Sequence, residues 1–204
     1  MRCLLFSLLV FFGACKSEYR TMSSISGEQS CIEKLRPVFK EANWYDTSID
    51  VYGKHFSGLL LIKETGVDTF RTVFTNETGA TLFDFEFAGM SGFKVKRVIK
   101  QMDRKPVTST LRDDLSLLLG RAFSTSPAGV WQQGDENFYA FTQKRETAYF
   151  ITDKECASLR RLESGSKRKR KTSITFEGSG DQITAAKIEH HTFNMTIKLK
   201  KIDR

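Results

Sequence analysis

The side chains that could do chemistry are few and scattered. The histidines are His55, His190 and His191. The last two are adjacent, and on a strand adjacent side chains point to opposite faces, so they cannot readily share one metal. They read as incidental surface histidines. Asp84 and Glu86 lie two apart, on one face of a strand, where an acid and a base could cooperate; many solvated faces look the same. Asp113-Asp114 are neighbours on a helix and read as solvated. No H-E-x-x-H, G-x-S-x-G, phosphate-loop or dinucleotide fingerprint occurs. We therefore expect no enzyme, no catalytic residue, no metal and no cofactor.

The strongest charge feature is Lys167-Arg168-Lys169-Arg170-Lys171, in a chain of formal charge +8. Five consecutive cations resemble a nucleic-acid patch. On an exported chain that reading loses force and no nucleic-acid partner is expected. A solvated hairpin tip or contact with anionic lipid headgroups remains, the latter contributing about 1 kcal/mol per cation.

Export is read from the first residues. Met1-Arg2 supplies one charge, Cys3 to Phe12 is an apolar run, and Gly13-Ala14 precede Cys15. That is a secretory pattern. Phe12-Gly13-Ala14-Cys15 resembles a bacterial lipobox, in which the cysteine is acylated and becomes the mature N-terminus. Phe12 stands where Leu is commonest. Residues 1–14 are then a signal peptide, Cys15 a lipid anchor and 15–30 a polar tether. Outside the cytoplasm the remaining Cys31 and Cys156 form a candidate disulfide, with two buried thiols as the alternative.

The elements that must position these residues follow from periodicity. Of the 204 residues 40% are hydrophobic, and 17 are phenylalanine, enough for one large core in a single domain over 31–204. Residues 31–42 suggest a short helix weakened by Pro37. From residue 47 the period is two: 48–52, 55–63, 68–75, 81–87 and 93–98 read as strands separated by turn formers. Phe83, Phe85 and Phe87 share one face. Residues 108–122 read as an amphipathic helix with Leu111, Leu115, Leu118, Leu119 and Ala122 in one stripe. Strands resume at 130–133, 137–141, 146–151, 172–177, 183–188 and 191–202. The fold class is mainly β with α: an antiparallel sheet of roughly ten strands, one or two helices packed on it, and no apolar run long enough to span a membrane.

Three segments carry a resemblance to a known family. His55-Phe56-Ser57-Gly58-Leu59-Leu60-Leu61-Ile62 resembles the early strand of the LolA/LolB superfamily of lipoprotein carriers and receptors, with its F-S-G motif. Phe74 to Leu82 resembles its strand–glycine–strand hairpin. Ala186 to Glu189 and Asn194 to Leu199 resemble its last two strands. The phrases around Gly66–Gly79 and Leu82–Phe87 also resemble an uncharacterised lipoprotein group of Bacteroidetes. The resemblance implies a curved, open half-barrel with the helices as a lid, and an apolar cavity that accepts the acyl chains of a lipoprotein or membrane lipid. It further implies a periplasm-facing monomer anchored in the outer membrane, with a soluble periplasmic lipoprotein carrier as donor. Phe74, Phe83, Phe85, Phe87, Leu115, Leu118, Leu119, Phe193 and Ile197 are the candidate lining, or else plain core. Receptors of the family present an exposed leucine on the hairpin loop; Thr78 falls near that place and is polar. The alternative function is a surface-anchored interaction or structural lipoprotein with a solid core.

Overall fold

Strand after strand alternates apolar and polar residues, so each has one face to bury. The computed structural model describes residue 19 and residues 22–143, 146–166 and 169–203. Among them the chain runs β1 (Ser23–Ile25), α1 (Gln29–Leu35), β2 (Asn43–Val51), β3 (Lys54–Gly66), β4 (Thr69–Asn76), β5 (Thr81–Ala88) and β6 (Gly92–Val98). The helix α2 (Lys105–Leu118) and a 3-10 turn at 121–123 follow. Then come β7 (Gly129–Gln133), β8 (Glu136–Thr142), β9 (Thr147–Asp153), β10 (Leu159–Gly165), β11 (Arg170–Glu177), β12 (Ala185–His190) and β13 (Met195–Ile202).

All thirteen strands join one antiparallel sheet in the order β1-β7-β8-β9-β10-β11-β12-β13-β2-β3-β4-β5-β6. It is curved and unclosed, with β1 and β6 as its edges. Two meanders, β2–β6 and β7–β13, meet where β13 pairs with β2, Met195 opposite Val51 through Ile202 opposite Trp44. The chain leaves β6 at one edge and re-enters at β7 near the other. The connection carrying α2 therefore crosses the sheet, and its apolar stripe joins the phenylalanines of the inner face in one core.

Gly58, in the F-S-G stretch, has a physical reason to be glycine: its φ is +154°, and a Cβ there would meet the Thr75 carbonyl oxygen at 2.0 Å. The close approach of β3 and β4 depends on its bare backbone.

Four local expectations are corrected. α1 stops at Leu35, because Arg36 precedes Pro37 and adopts an extended ψ of 146°. α2 begins at Lys105, with Pro106 in its first turn where its missing N–H costs nothing. It ends before Gly120, whose φ of 67° breaks the helix. β10 is an additional strand whose outward residues, Arg161 and Glu163, are charged. The described part of the expected tether is not free: β1 pairs with β7, Ser24 opposite Trp131.

Tyr19 and Met22 pack on a second apolar cluster, Phe138, Ala140, Tyr149 and Ile151, on the outer face. Tyr19 stacks on Tyr149 with ring centroids 4.7 Å apart and donates a 2.7 Å hydrogen bond to Glu163. Glu163, although buried, is held by three donors: Tyr19, Arg161 at 2.6 Å and Arg170 at 3.1 Å. Cys31 and Cys156 are disulfide-bonded, with Cα atoms 5.8 Å apart, tying α1 to the β9–β10 turn.

Candidate functional site

The stripe of α2 and the expected lining residues divide into two environments. Along the middle of the helix the interior is filled by side chains. Phe83 and Phe85 stack with centroids 4.6 Å apart, Phe74 lies 5.5 Å from Phe83, and Phe93 approaches Phe85 and Phe87 at 5.2 Å. Phe74, Phe83, Phe85, Phe87, Leu115, Leu118 and Ile197 all belong to this buried core. Of the two alternatives, lining or plain core, these residues take the second: neighbouring rings and leucines surround them. Leu119 is also buried, against a cleft of about 330 Å³ whose walls include Arg36, Lys40 and Arg121 together with Glu33, Glu64 and Asp68.

Phe193 is different. It lines an apolar cavity of about 220 Å³ at the N-terminal end of α2. Val107, Thr110 and Leu111 of the helix form its roof; Ile49, Val51 and Met195 of β2 and β13 form its floor. Met102, Pro106 and Tyr52 complete the rim. Among the described residues no charged one lines it. The first two turns present Val107 and Thr110, which fill less space than the leucines deeper along the helix. Tyr52, at φ 48°, and Gly53, at φ 75°, make the tight β2–β3 turn that sets the tyrosine ring against Phe193, centroids 5.6 Å apart. Tyr52 is nevertheless 72% exposed, at the mouth of the cavity.

Behind Phe193 lies a buried polar pair. The His190 ring is 4.4 Å from that of Phe193, and its Nε2 is 2.8 Å from Oδ2 of Asp114, both side chains being 2% exposed. Nδ1 of His190 is 3.4 Å from the Thr172 hydroxyl. Burial pushes the Asp114 carboxyl above its ordinary range; the hydrogen bond with His190 and the nearby charges of His190 and Lys171 pull it back, and Asp113 adds to the rise. The pair pins α2 to β12 beside the cavity. It corrects two expectations: His190 is not a surface histidine, and Asp114 is not solvated.

The other candidates are not brought together. Asp84 accepts a two-pronged hydrogen bond from Arg71, at 2.9 and 2.6 Å. Glu86 pairs with Lys96 at 3.0 Å, His55 with Asp50 at 2.7 Å, and Asp113 with Arg112 at 2.8 Å. His191 meets Ser173 at 2.9 Å. Among the described residues no group of three His, Cys, Asp or Glu side chains could hold a metal ion.

Of the basic run, Lys167 and Arg168 lie outside the described residues, as does Cys15. Lys169 closes the β10–β11 turn through its backbone N–H to Ser166, at 3.0 Å. Arg170 pairs with Glu163 at 3.1 Å and Lys171 with Glu146 at 2.9 Å. These two cations are thus drawn onto carboxylates of the domain itself.

Thr78 folds back on its own turn, donating to Asn76 Oδ1 at 2.9 Å. Exposed apolar tips occur on the two flanking hairpins: Val67 in the β3–β4 turn is 93% exposed and Met90 in the β5–β6 turn 68% exposed. The two turns are joined by the Gly89 N–H donating to the Asp68 carbonyl at 2.9 Å.

No family model matches the chain, and no curated protein matches it, so the likeness to a Bacteroidetes group finds no support there. Among solved structures the chain is similar to a DUF1329 family protein from Desulfovibrio piger, at 10% identity and a TM-score of 0.40, covering 80% of this chain and 85% of that one. It is also similar to a domain from Vibrio parahaemolyticus, provisionally described as an outer membrane lipoprotein-sorting protein domain. That match has 10% identity and a TM-score of 0.46, covering 80% and 84% of the two chains. At these values neither likeness carries an argument about what this chain does.

Proposed function

We propose that the chain is a lipid-anchored envelope protein that binds an acyl chain of a lipoprotein or membrane lipid at the mouth between α2 and the sheet. The observation that carries this reading is the uncharged, solvent-accessible cavity roofed by Val107 and Leu111 and floored by Ile49 and Met195. Its 220 Å³ is below the roughly 300–1,000 Å³ of common ligand sites. It exceeds the about 150 Å³ of a dry cavity that takes benzene. It therefore suits the end of one chain rather than a full set of acyl chains. Each methylene removed from water contributes about 0.8 kcal/mol. Function here is binding and release, not bond making: transfer needs tighter binding here than in a donor carrier. Cys15 supplies the outer-membrane anchor on the periplasmic side.

The test is titration of the full chain with a fluorescent fatty acid, alongside Val107→Trp, which fills the cavity. Saturable binding by the wild type and its loss in the variant are expected. Equal binding by both, or none by the wild type, contradicts the reading. The anchor is tested separately by metabolic labelling with a fatty-acid probe, Cys15→Ser being the unlabelled control.

One observation favours the second reading, a surface-anchored interaction or structural lipoprotein: most of the expected lining is solid core. Unaltered sorting of other lipoproteins after depletion of this protein, in a cell without a second copy, would select it.

A further inference from the structure

We infer that the ligand of the mouth cavity is a single-tailed amphiphile with an anionic head group. The inference rests on the acyl-chain reading above and adds the head-group class. The rim supplies the argument. Lys100 and Arg104 sit on the connection between β6 and α2 and Lys105 opens the helix, each within two residues of the lining residues Met102 or Pro106. Lys54 follows two residues after Tyr52, on the opposite lip. All four are exposed, and none has an ion-pair partner among the described residues. The acids beside them are Asp103 on the first lip and Asp50 on the second; both are exposed, Asp50 pairs with His55, and neither lines the cavity.

Two comparisons within the molecule sharpen this. The cleft at the other end of α2 carries Glu33, Glu64 and Asp68 beside its cations, so its walls balance their own charge. Arg170 and Lys171 of the basic run are likewise paired with Glu163 and Glu146. At the cavity mouth, by contrast, four exposed cations with no ion-pair partner among the described residues adjoin an apolar hole. Their field adds to the positive end of α2, whose first turn contains no acidic residue. An uncharged or zwitterionic head would leave that potential unanswered. A carboxylate or phosphate answers it while the tail enters between Val107 and Met195. Exposed charges are screened over about 10 Å at 0.1 M salt, so the preference must be salt-sensitive.

The experiment compares three probes on the full chain at low and high salt: palmitate, palmitoyl lysophosphatidylglycerol and the zwitterionic palmitoyl lysophosphatidylcholine. It uses the wild type and the double variant Arg104→Glu/Lys105→Glu. Acidic residues at a helix start are stabilising, so the variant retains its fold. We expect roughly tenfold tighter binding of an anionic probe than of the zwitterionic one, from two or three exposed charge contacts. That preference should vanish in the variant and shrink at high salt, with lysophosphatidylcholine affinity unchanged. Preference for palmitate alone identifies a carboxylate, preference for lysophosphatidylglycerol alone a phosphate, and either supports the inference. Equal affinity for all three, or a preference that survives the double substitution, overturns the head-group class and leaves acyl binding standing. Binding of none overturns both.

Discussion

The two halves of α2 cover one sheet and are packed in opposite ways. Around Leu115 and Leu118 the interior is closed by phenylalanines in ring-to-ring contact; around Val107, four residues before Leu111, it is open. The difference is one of side-chain volume and of how strand ends meet. Mid-strand positions of β5 project three large rings at alternate residues. At the mouth, β2 turns into β3 at Tyr52 and the β12–β13 connection turns at Phe193, and the short side chains of the first two helical turns do not fill the gap. Apolar alternation is thus a statement about facing, not about filling.

Substitutions should separate the two regions. Phe85→Ala, in the filled region, should lower the unfolding free energy by about 4 kcal/mol, measured by urea denaturation, and should leave fatty-acid affinity nearly unchanged once the protein is folded. A large affinity loss with intact stability would place ligand in the core after all. His190→Ala lies on the boundary. It leaves a buried carboxyl without its partner and should cost about 3 kcal/mol, while increasing amide exchange along α2. Unaltered exchange would mean that the pair does not pin the helix.

Asp114→Asn should change the pH dependence rather than only the level. Burial raises the folded-state pKa of this carboxyl above its unfolded value, so its contribution is fully present in acid and is lost as pH rises through that interval. The wild type should therefore lose stability relative to the variant on going from below the ordinary carboxylate range to neutrality. A constant difference between the two urea curves would contradict this. Val107→Ala, in the open region, should be the smallest effect, under about 1 kcal/mol in stability, since the space beside it is already empty. A cost as large as that of Phe85→Ala would mean that the mouth is packed.

How much of this could be read from the residues follows the same division. The alternation of β2 to β5, the shared face of Phe83, Phe85 and Phe87 and the α2 stripe are local patterns, and they appear as read. β10 escaped because Arg161 and Glu163 occupy its outer face, so its alternation is masked by charge. The docking of β1 escaped because Tyr19, Met22 and Ile25 are spread through polar residues. The leucine stripe begins at Leu111 and so places the helix start near 108, whereas Pro106 in the first turn marks the true start at Lys105. Of the cavity, Phe193 was legible. Met102, Tyr52 and Val107 come from connections and element ends that only the fold brings together. Lys167–Lys171 drew attention by contiguity, whereas Lys54, Lys100, Arg104 and Lys105 form a group only in space.

The central claim, that an acyl chain enters between α2 and the β2–β13 floor, is tested most directly by photo-crosslinking. A fatty acid bearing a diazirine near its terminal methyl is bound to the full chain, irradiated, and its adducts mapped by peptide mass spectrometry. The account predicts label on the segments carrying Tyr52, Val107, Phe193 and Met195. Label confined to Val67 and Met90, or spread without saturation, would contradict it.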